Sequence, residues 1–441
     1  MLFKTKELPI IISVGGSLIA PDTGVDTEFL SQLNLLIRKK VAQGKRFMLI
    51  AGGGNICRHY QQAARNVIGN INDEDLDWLG IHATRFNAHL LRTIFQDIAH
   101  PRIITNYDKK LFNWKEPVAI GAGWKPGWST DYDAVILARD YKAQLVINLS
   151  NINGVYDKDP KKFKDAQLIK KITWEEMEKI IGNKWSPGFN SPFDPVATPL
   201  AKKLGLTVII TYGKDLKNIE NIIDKESFDG TVVTPYRIDS TFYDRDYYMG
   251  KKGGHRVTLT GSFFGRAFHN LVNFIRAVLI IAELAPKKCL DLGCGTGGLI
   301  GWLRFFKVEA YGLDFSESAK MLADKGIKQY IKLGDVTNIP FADNSFDLVL
   351  SYDLFNHIEQ SKIRKVIKES IRVSSKYISH KIYTRENFWL SLTHKQDYSN
   401  ISHFSLKYWN SIFSSFKELV RVRKRILFPS FFETRYLFKK K

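Results

Sequence analysis

In the first half of the chain, short apolar runs alternate with amphipathic segments, and glycines follow several of the runs. Four runs have the composition of buried strands, at residues 8–17, 45–55, 144–151 and 206–213. Between them, TEFLSQLNLLIRKKVAQG and STDYDAVILARDY repeat apolar positions at helical spacing. Strands that alternate with helices predict an α/β fold with a mostly parallel sheet covered on both faces.

The same alternation starts again after DGTVVTPY, which ends at Tyr236. KKCLDLGCGTGG (287–298) is typical of a strand, a tight glycine loop and the start of a helix. VEAYGLDFS, IKLGDVTNIPF and NSFDLVLSYDLFNHI follow in order. We therefore predict two α/β domains, at 1–235 and 236–441, with 236–260 as a connecting extension.

Composition agrees with a globular protein, because 44% of the 441 residues are hydrophobic and 25% are charged. Three cysteines (Cys57, Cys289 and Cys294) form no C-x-x-C pair, which argues against a disulfide framework and against a zinc site. We find no secretory signal pattern, and the apolar stretch 271–285 is interrupted by polar residues and too short to span a membrane. These features predict a cytoplasmic protein.

The net charge of +20 is shared unevenly, with about +5 before residue 236 and about +15 after it. Residues 417–441 mix basic and aromatic side chains, among them Phe428, Phe431, Phe432 and Tyr436. Such a tail is able to contact RNA or an anionic membrane surface. A solvated basic helix end followed by a last strand is the favoured alternative.

Three glycine-rich loops in the first half suit phosphate binding. Gly15-Gly16-Ser17 and Gly52-Gly53-Gly54 each follow a predicted strand, where backbone N–H groups approach a phosphate without a Cβ clash. The third loop, 121–134, ends in hydroxyls and carboxylates at a predicted helix start. The G-x-x-x-x-G-K-[ST] pattern is missing from the sequence, which argues against a P-loop enzyme.

Ordered motifs make the first half resemble the archaeal-type uridylate (UMP) kinases of the amino-acid-kinase family. They are VGGSL, AGGGN with Arg58, DWLGIHATRFNA, KPGWSTDYDA, LSNINGVYDKDPKK, FDPVA and DGTVVTP. The resemblance implies an αβα sandwich that transfers the γ-phosphoryl group of ATP to UMP with Mg²⁺, in pyrimidine and CTP biosynthesis. It also implies a homo-oligomer, a hexamer built by this domain.

The resemblance also implies roles for individual residues. Those implied to hold ATP are Gly16, Ser17, Gly54, Arg58, Ser150, Asn151, Tyr156 and Asp159. Those implied to hold UMP are Gly53, Asp77, Trp124, Lys125, Pro126, Gly127, Trp128, Ser129 and Thr130. Asp194 is implied to organise the charged centre, and no side chain is assigned as a metal ligand.

One position departs from the family pattern. Many amino-acid kinases place a lysine two residues before the first glycine pair, where this chain has Ser13. Our hypothesis is that Arg58 or Lys125 supplies the missing cation. The alternative is a nucleotide-sensing domain that binds UMP or UTP without turnover and regulates a small-molecule, lipid or RNA methyltransferase.

From Lys287 to Ile378 the second half resembles the class I S-adenosylmethionine (SAM)-dependent methyltransferases, with a Rossmann-like seven-stranded sheet. A nicotinamide-dinucleotide domain is the competitor, and the elements GDV-x-x-I-P-F and FDLVLS favour the methyltransferase. The resemblance implies that SAM is held by Asp291, Gly293, Gly295, Asp314, Asp335, Val336 and Ser351. Tyr352 is implied to lie beside Ser351 near the transferred methyl group.

The methyl acceptor stays open at this point. A general base is needed only where the acceptor loses a proton, and the candidates are His357, Tyr383, His394 and His403. The sequence has no N-P-P-[YF] tetrapeptide, so small molecules, lipids, sugars and RNA all remain as acceptors. The tyrosines of 242–254 either cover the cofactor site or pack on the following helix.

Overall fold

A computed structural model describes residues 8–111, 114–143, 145–160, 162–182, 191–224, 226–237, 240–248, 263–384, 404–422 and 434–441. The chain separates into two compact units, Met1–Arg237 and Ile238–Lys441.

The first unit contains strands β1 to β7. Their bounds are β1 Ile10–Val14, β2 Phe47–Ala51, β3 Val118–Gly121, β4 Leu145–Ser150, β5 Lys171–Thr173, β6 Thr207–Tyr212 and β7 Thr231–Thr234. They form one sheet in the order β3-β2-β1-β4-β6-β7-β5. All the pairs are parallel except β6 with β7. The mostly parallel sheet is as predicted.

Helices cover both faces of this sheet. They are α1 Gly16–Ile19, α2 Thr27–Ala42, α3 Gly54–Ile68, α4 Asp73–Ile94, α5 Thr130–Tyr141, α6 Trp174–Ile181, α7 Ala197–Lys203 and α8 Leu216–Ile223. Alternate residues of β1 point to opposite sides: Ile11 joins the core beneath α5, and Ile12 joins the core beneath α2 and α8. Buried strands flanked by two helical layers give the three-layer αβα arrangement.

Capping residues fix where the helices near the sheet edge begin. Asn72 caps α4 by accepting a hydrogen bond from the backbone N of Asp75, and acidic residues fill the first turn. Ser129 caps α5 by accepting from the backbone N of Asp131 at 3.1 Å. The third glycine-rich loop therefore runs directly into a capped helix N-terminus.

The second unit contains strands β8 to β14 in a second sheet. Their bounds are β8 Lys288–Leu292, β9 Glu309–Asp314, β10 Ile331–Leu333, β11 Phe346–Tyr352, β12 Ser374–Ile382, β13 Leu419–Arg421 and β14 Thr434–Lys440. The order is β10-β9-β8-β11-β12-β14-β13. The five strands from β10 to β12 run parallel, whereas β14 is antiparallel to both of its neighbours. Both sheets therefore have seven strands, and the predicted fold class is confirmed.

The helices of this unit are α9 Arg245–Tyr248, α10 Phe263–Leu284, α11 Gly298–Phe305, α12 Glu317–Leu322, α13 Gln360–Val373 and α14 Leu406–Ser414. Side chains of α13 and α14 fill the core on one face of the sheet, and those of α10 and α11 fill the core on the other. Of the described helices, α10 alone has an apolar window, Ala267–Leu284, long enough to cross a membrane by length and composition. The stretch 271–285, which we judged too short to span a membrane, is therefore part of a longer apolar window that begins at Ala267.

The basic C-terminal stretch corrects one expectation. Residues 434–440 form β14, which pairs with β12 inside the sheet. Tyr436 is fully buried and its ring stacks on Phe413 at a centroid distance of 4.7 Å. The structure therefore supports the alternative of a last strand and removes Tyr436 from any RNA or membrane contact, while Phe428, Phe431 and Phe432 lie outside the described residues.

Candidate active sites

The two glycine loops after β1 and β2 lie in direct contact at one edge of the first sheet. A Cβ atom on Gly16 would lie 2.0 Å from the backbone N of Gly54, and one on Gly52 would lie 2.5 Å from the backbone N of Gly16. Gly54 also has a φ of +68°. These glycines are therefore required by the packing of one loop on the other, as well as by any ligand that approaches them.

Helix α4 holds the second glycine loop and the loop at 123–130 in place. Asn87 Nδ2 donates to the carbonyl oxygens of this glycine loop at 2.8 and 3.3 Å. Thr84 Oγ1 accepts from the backbone N of Gly123 at 2.8 Å. Arg85 donates to the carbonyl oxygens of Gly123 and Trp124 at 3.2 and 3.1 Å. These three α4 side chains sit in the motif DWLGIHATRFNA, yet reasoning from sequence assigned them no role.

The loop 124–130 is built around aromatic rings and one carboxylate. Asp77 Oδ2 accepts a hydrogen bond from the backbone N of Gly127 at 2.8 Å, which ties α4 to the loop. Lys125 Nζ lies 4.1 Å from the centre of the Trp124 ring and 5.3 Å from that of Trp128. The Lys125 ammonium is thus held by two cation–π contacts at the surface of the loop.

Two carboxylates fix the start of α5. Asp194 is buried, and its carboxylate accepts from the backbone N of Ser129 and of Val196, both at 2.6 Å. Ser13 Oγ donates to Asp131 Oδ1 at 2.9 Å. The position where many family members have a lysine is therefore occupied by a hydroxyl that is bonded to an acid.

Burial changes the protonation of the acids in this region. Desolvation raises the pKa of Asp131 to about 7, and the negative charge of Asp194 adds to the increase. The pKa of Asp133 is raised still more clearly by burial, although the indole N–H of Trp128 donates to its Oδ1 at 3.2 Å. Asp133 Oδ2 is buried without a hydrogen-bond partner. A cation or a proton would relieve this local excess of negative charge.

The remaining residues predicted for nucleotide binding are less tightly gathered. The first glycine loop adjoins the end of β4, because Gly15 N donates to Leu149 O at 2.9 Å, and Ser150 and Asn151 follow there. Tyr156 and Asp159 lie further along the segment between β4 and β5. This segment contacts β7, because the backbone N of Val155 donates to Thr231 Oγ1. Arg58 is an exposed residue at the start of the second turn of α3, and Ser17 and Thr130 lie in the first turns of α1 and α5.

In the second unit, the glycine loop after β8 depends on backbone conformation. Gly293, Gly295 and Gly297 have φ values of +69°, +52° and +76°, a region that side chains rarely adopt. Gly295 N donates to Asp314 Oδ2 at 2.8 Å, so the acid at the end of β9 fixes the loop. The other oxygen of Asp314 accepts from Ser316 N at 2.9 Å.

The end of β8 carries a buried acid. Burial raises the pKa of Asp291 to about 8; the positive charge of Arg276 opposes the increase and the negative charge of Asp314 adds to it. Val336 is buried after β10, whereas Asp335 is exposed and accepts from the backbone N of a nearby residue at 2.8 Å. The structure thus places these predicted SAM ligands at the ends of β8, β9 and β10.

Ser351 is fully buried, and its hydroxyl contacts a residue that sequence reasoning missed. Ser351 Oγ lies 2.8 Å from His380 Nδ1 across the β11–β12 pair. Burial lowers the pKa of His380 to about 3, so the ring is neutral, and its Nε2 has no hydrogen-bond partner. Tyr352 follows Ser351, with Arg276 and Lys381 above its ring at 4.2 and 5.0 Å.

The tyrosines before α10 reach the cofactor loop. A Cβ atom on Gly295 would lie 3.7 Å from a ring carbon of Tyr248. Tyr243 O accepts from Ser316 Oγ at 2.6 Å, and the Tyr243 hydroxyl lies 3.3 Å from His357 Nδ1. His357 is therefore the predicted base whose ring is held beside this segment, whereas His394 and His403 lie outside the described residues.

Comparison with known proteins finds one family for each unit. Residues 9–212 match the amino acid kinase family, and residues 290–376 match a methyltransferase domain. The chain is thus an enzyme with a kinase unit and a methyltransferase unit.

Individual relatives identify the family of the first unit more specifically. The chain is 33% identical to a uridylate kinase of Sulfurisphaera tokodaii, over 47% of this chain and 91% of that protein. It is 31% identical to a uridylate kinase of Methanobrevibacter smithii, over 52% of this chain and all of that protein. A crystal structure of a uridylate kinase from Archaeoglobus fulgidus matches 51% of this chain and all of that chain, with 27% identity and a TM-score of 0.44. Through its first unit, the chain belongs to the uridylate kinases of the amino acid kinase family.

Proposed function

We propose that the first unit transfers the γ-phosphoryl group of ATP to UMP and so forms UDP, a step of pyrimidine nucleotide synthesis. The observation that carries this proposal is the meeting of the two glycine loops beside the loop 124–130, which Asp77 holds from α4. Phosphoryl transfer asks the protein mainly to hold two phosphates in line and to stabilise charge, and backbone N–H groups at loop and helix starts suit that task. The uridylate kinase relatives support UMP as the acceptor.

The chain's own residues fit ATP with Mg²⁺. Gly16 and Gly54 allow the two loop backbones to pack against each other without a Cβ, and the backbone N–H groups at the starts of α1 and α3 suit phosphate oxygens. No group of three or more His, Cys, Asp or Glu suited to a metal occurs among the described residues. Mg²⁺ commonly takes several of its ligands from substrate phosphates and water. When bound in that way, it neutralises phosphate charge.

Each predicted residue then has a physical task. Gly16, Ser17 and Gly54 would offer N–H groups to the ATP phosphates, and Asp77 would accept from ribose hydroxyls of UMP. Asp194 would position the N-terminus of α5 through its bond to Ser129 N. Since Ser13 carries no charge, Lys125 or Arg58 would supply the cation that faces the transferred group.

An ADP-release assay tests this proposal and its rival. The full chain is incubated with ATP, Mg²⁺ and UMP, with CMP and AMP as alternative acceptors. We expect ADP release that depends on UMP. If UMP raises the melting temperature of the protein without any ADP release, the first unit is a nucleotide sensor instead.

For the second unit, we propose SAM-dependent methyl transfer to an acceptor among small molecules, lipids, sugars and RNA. The left-handed loop of Gly293, Gly295 and Gly297 fits a bulky cofactor, because no Cβ obstructs its approach. SAM is an activated methyl donor when bound, so the residues mainly need to orient it. SAM should raise the melting temperature of the chain and NAD should not; the reverse result would favour a dinucleotide domain.

We also infer that the chain forms a homo-oligomer, a hexamer in the resembled kinases, through α3 and α4. Large apolar side chains are exposed on these two helices, namely Tyr60, Val67, Ile68 and Phe86. Large apolar side chains exposed on paired helices suit burial between subunits. Light scattering would give the mass, and a Val67→Glu/Ile68→Glu variant should shift it towards the monomer.

A further inference from the structure

The outward face of α10 in the second unit is apolar and exposed among the residues that the structure describes. Phe268, Leu271, Ile275 and Val278 recur every three or four residues, with exposed fractions of 52%, 53%, 43% and 39%. This spacing places them on one side of the helix. The opposite side packs into the core of the unit through Ala277, Ile280 and Leu284.

A neighbouring turn extends this face. Phe305, the last residue of α11, is 69% exposed. Its ring lies 5.7 Å from that of Trp302, which in turn lies 5.0 Å from that of Phe274 in α10. The apolar surface is therefore continuous from α10 across to α11, and we call Phe268, Leu271, Ile275, Val278 and Phe305 the α10 face.

The helix can lie on a membrane but is not built to span one. Arg276 on its inner side has its guanidinium 4.2 Å from the centre of the Tyr352 ring, at the end of β11. To cross a bilayer, α10 would have to separate from the rest of the unit. Its buried residues would then lose their core contacts, and the charge of Arg276 would lie in hydrocarbon. An amphipathic helix that stays packed on its domain binds in the plane of the interface instead.

The positive charge of the second unit indicates which kind of surface the α10 face contacts. The second unit carries about +15. Lys287 is exposed three residues after the end of α10. Lys307 is exposed two residues after Phe305. Basic residues around an apolar strip suit anionic lipid headgroups. A second copy of the same basic unit would instead be repelled.

We propose that the α10 face docks the second unit onto an anionic lipid surface. The side chains of Phe268, Leu271, Ile275, Val278 and Phe305 enter the region between headgroups and acyl chains, and the exposed Lys287 and Lys307 contact the headgroups. This interaction needs neither catalytic turnover nor a known methyl acceptor.

Vesicle flotation of the full chain tests the proposal. The vesicles contain phosphatidylcholine alone or an equal mixture of phosphatidylcholine and phosphatidylglycerol. We expect flotation with the mixed vesicles, weakened by salt and by omission of phosphatidylglycerol. A Leu271→Gln/Ile275→Gln variant should bind about tenfold more weakly or worse, since two apolar side chains no longer enter the lipid.

The matched control is Val25→Gln/Leu35→Gln, which removes two exposed apolar side chains from the first unit and should float like the parent. A rise in melting temperature with SAM shows that the second unit of each α10-face variant is folded, and a rise with UMP shows that the first unit of the control is folded. Phe305→Gln is a second variant outside α10. The proposal fails if the parent does not float with the mixed vesicles, or if the α10 variants float equally well. It also fails if those variants lower the mass of a protein assembly in the absence of lipid, because the α10 face is then a protein interface.

Discussion

The two glycine sites of this chain look alike in sequence and are built on different principles. In the first unit, Gly16 is needed because the loops touch, and a Cβ on it would lie 2.0 Å from a neighbouring backbone atom. In the second unit, Gly295 is needed because its φ is +52°, while the Tyr248 ring at 3.7 Å is its nearest neighbour among the described residues. Gly16 is therefore a packing requirement and Gly295 a conformational one, whereas Gly54, Gly293 and Gly297 combine a positive φ with a close neighbour.

The partners of the loops differ in the same way. In the first unit, helix α4 sets the loop positions through Asn87, Thr84 and Arg85. In the second, the acid at the end of the neighbouring strand, Asp314, binds the loop directly.

The largest expected effect is that of Gly16→Ala. Because the added Cβ meets backbone that cannot move aside, the first unit should lose about 3 kcal/mol or more of its free energy of unfolding. Urea unfolding of the full chain, with the SAM-shifted transition assigned to the second unit, measures the change. Gly44→Ala is the control: its φ is +87° with open space around it, so its cost should be about 1 kcal/mol. Equal losses for the two variants would remove the distinction between packing and conformation.

The second effect concerns pH, and both sites should show it. Asp131 and Asp291 have folded pKa values of about 7 and about 8, above the ordinary value of 3.8. Between the ordinary pKa and the folded pKa of each acid, the folded state binds more protons than the unfolded state. The free energy of unfolding therefore falls as pH rises, from about 4 to about 7 for Asp131 and from about 4 to about 8 for Asp291.

Each Asp→Asn variant should remove this decline from its own unit, about 4 kcal/mol for Asp131 and about 6 kcal/mol for Asp291. Urea unfolding from pH 4 upwards, again with SAM used to assign the transitions, provides the test. A variant whose unit keeps the full slope of the parent would show that its carboxyl is already ionised in the folded state.

A third effect separates the two cation candidates of the kinase site. Lys125→Ala should lower kcat about tenfold or more if the ammonium contacts the transferred phosphoryl group. Lys125→Arg should retain more activity than alanine, since it keeps the charge over the two tryptophans. An unchanged kcat would leave Arg58 as the candidate, and Arg58→Ala is then the variant to compare.

The smallest effect is that of Gly295→Ala. A left-handed φ costs an alanine about 1 kcal/mol, with no clash to add to it. SAM affinity should fall more than stability, because the new methyl group points into the space beside Tyr248. Calorimetric titration with SAM measures this, and unaltered affinity would place the cofactor away from Gly295.

Sequence predicted the fold class because apolar runs and glycine turns are local signals. It favoured a last strand in the basic C-terminal stretch, but it did not place β14 beside β12, since the two strands lie far apart along the chain. Charge dominated the pattern there, although Tyr436 is buried. The motifs located the glycine loops, but not the contact of Gly16 with Gly54, because that depends on which strands become neighbours.

The site residues likewise fall into those that a motif predicts and those whose role appears only in the folded structure. Asp77 and Asp194 were predicted from their positions in the motifs. In the structure, each accepts a hydrogen bond from a backbone N–H group. Asn87, Thr84 and His380 were not named, because their roles come from contacts across 29 to 39 residues of chain. The motif around Asn87 and Thr84 could have drawn attention to them, whereas no pattern marks His380.

The position of β14 sets an order in time during synthesis. A ribosome that has reached Ile382 has produced every parallel strand of the second sheet, but β12 still lacks its antiparallel neighbour. The first unit, by contrast, is complete by residue 237 and can fold while translation continues. Until residues 434–440 emerge, the nascent second unit exposes the open edge of β12 to chaperones and to other strands.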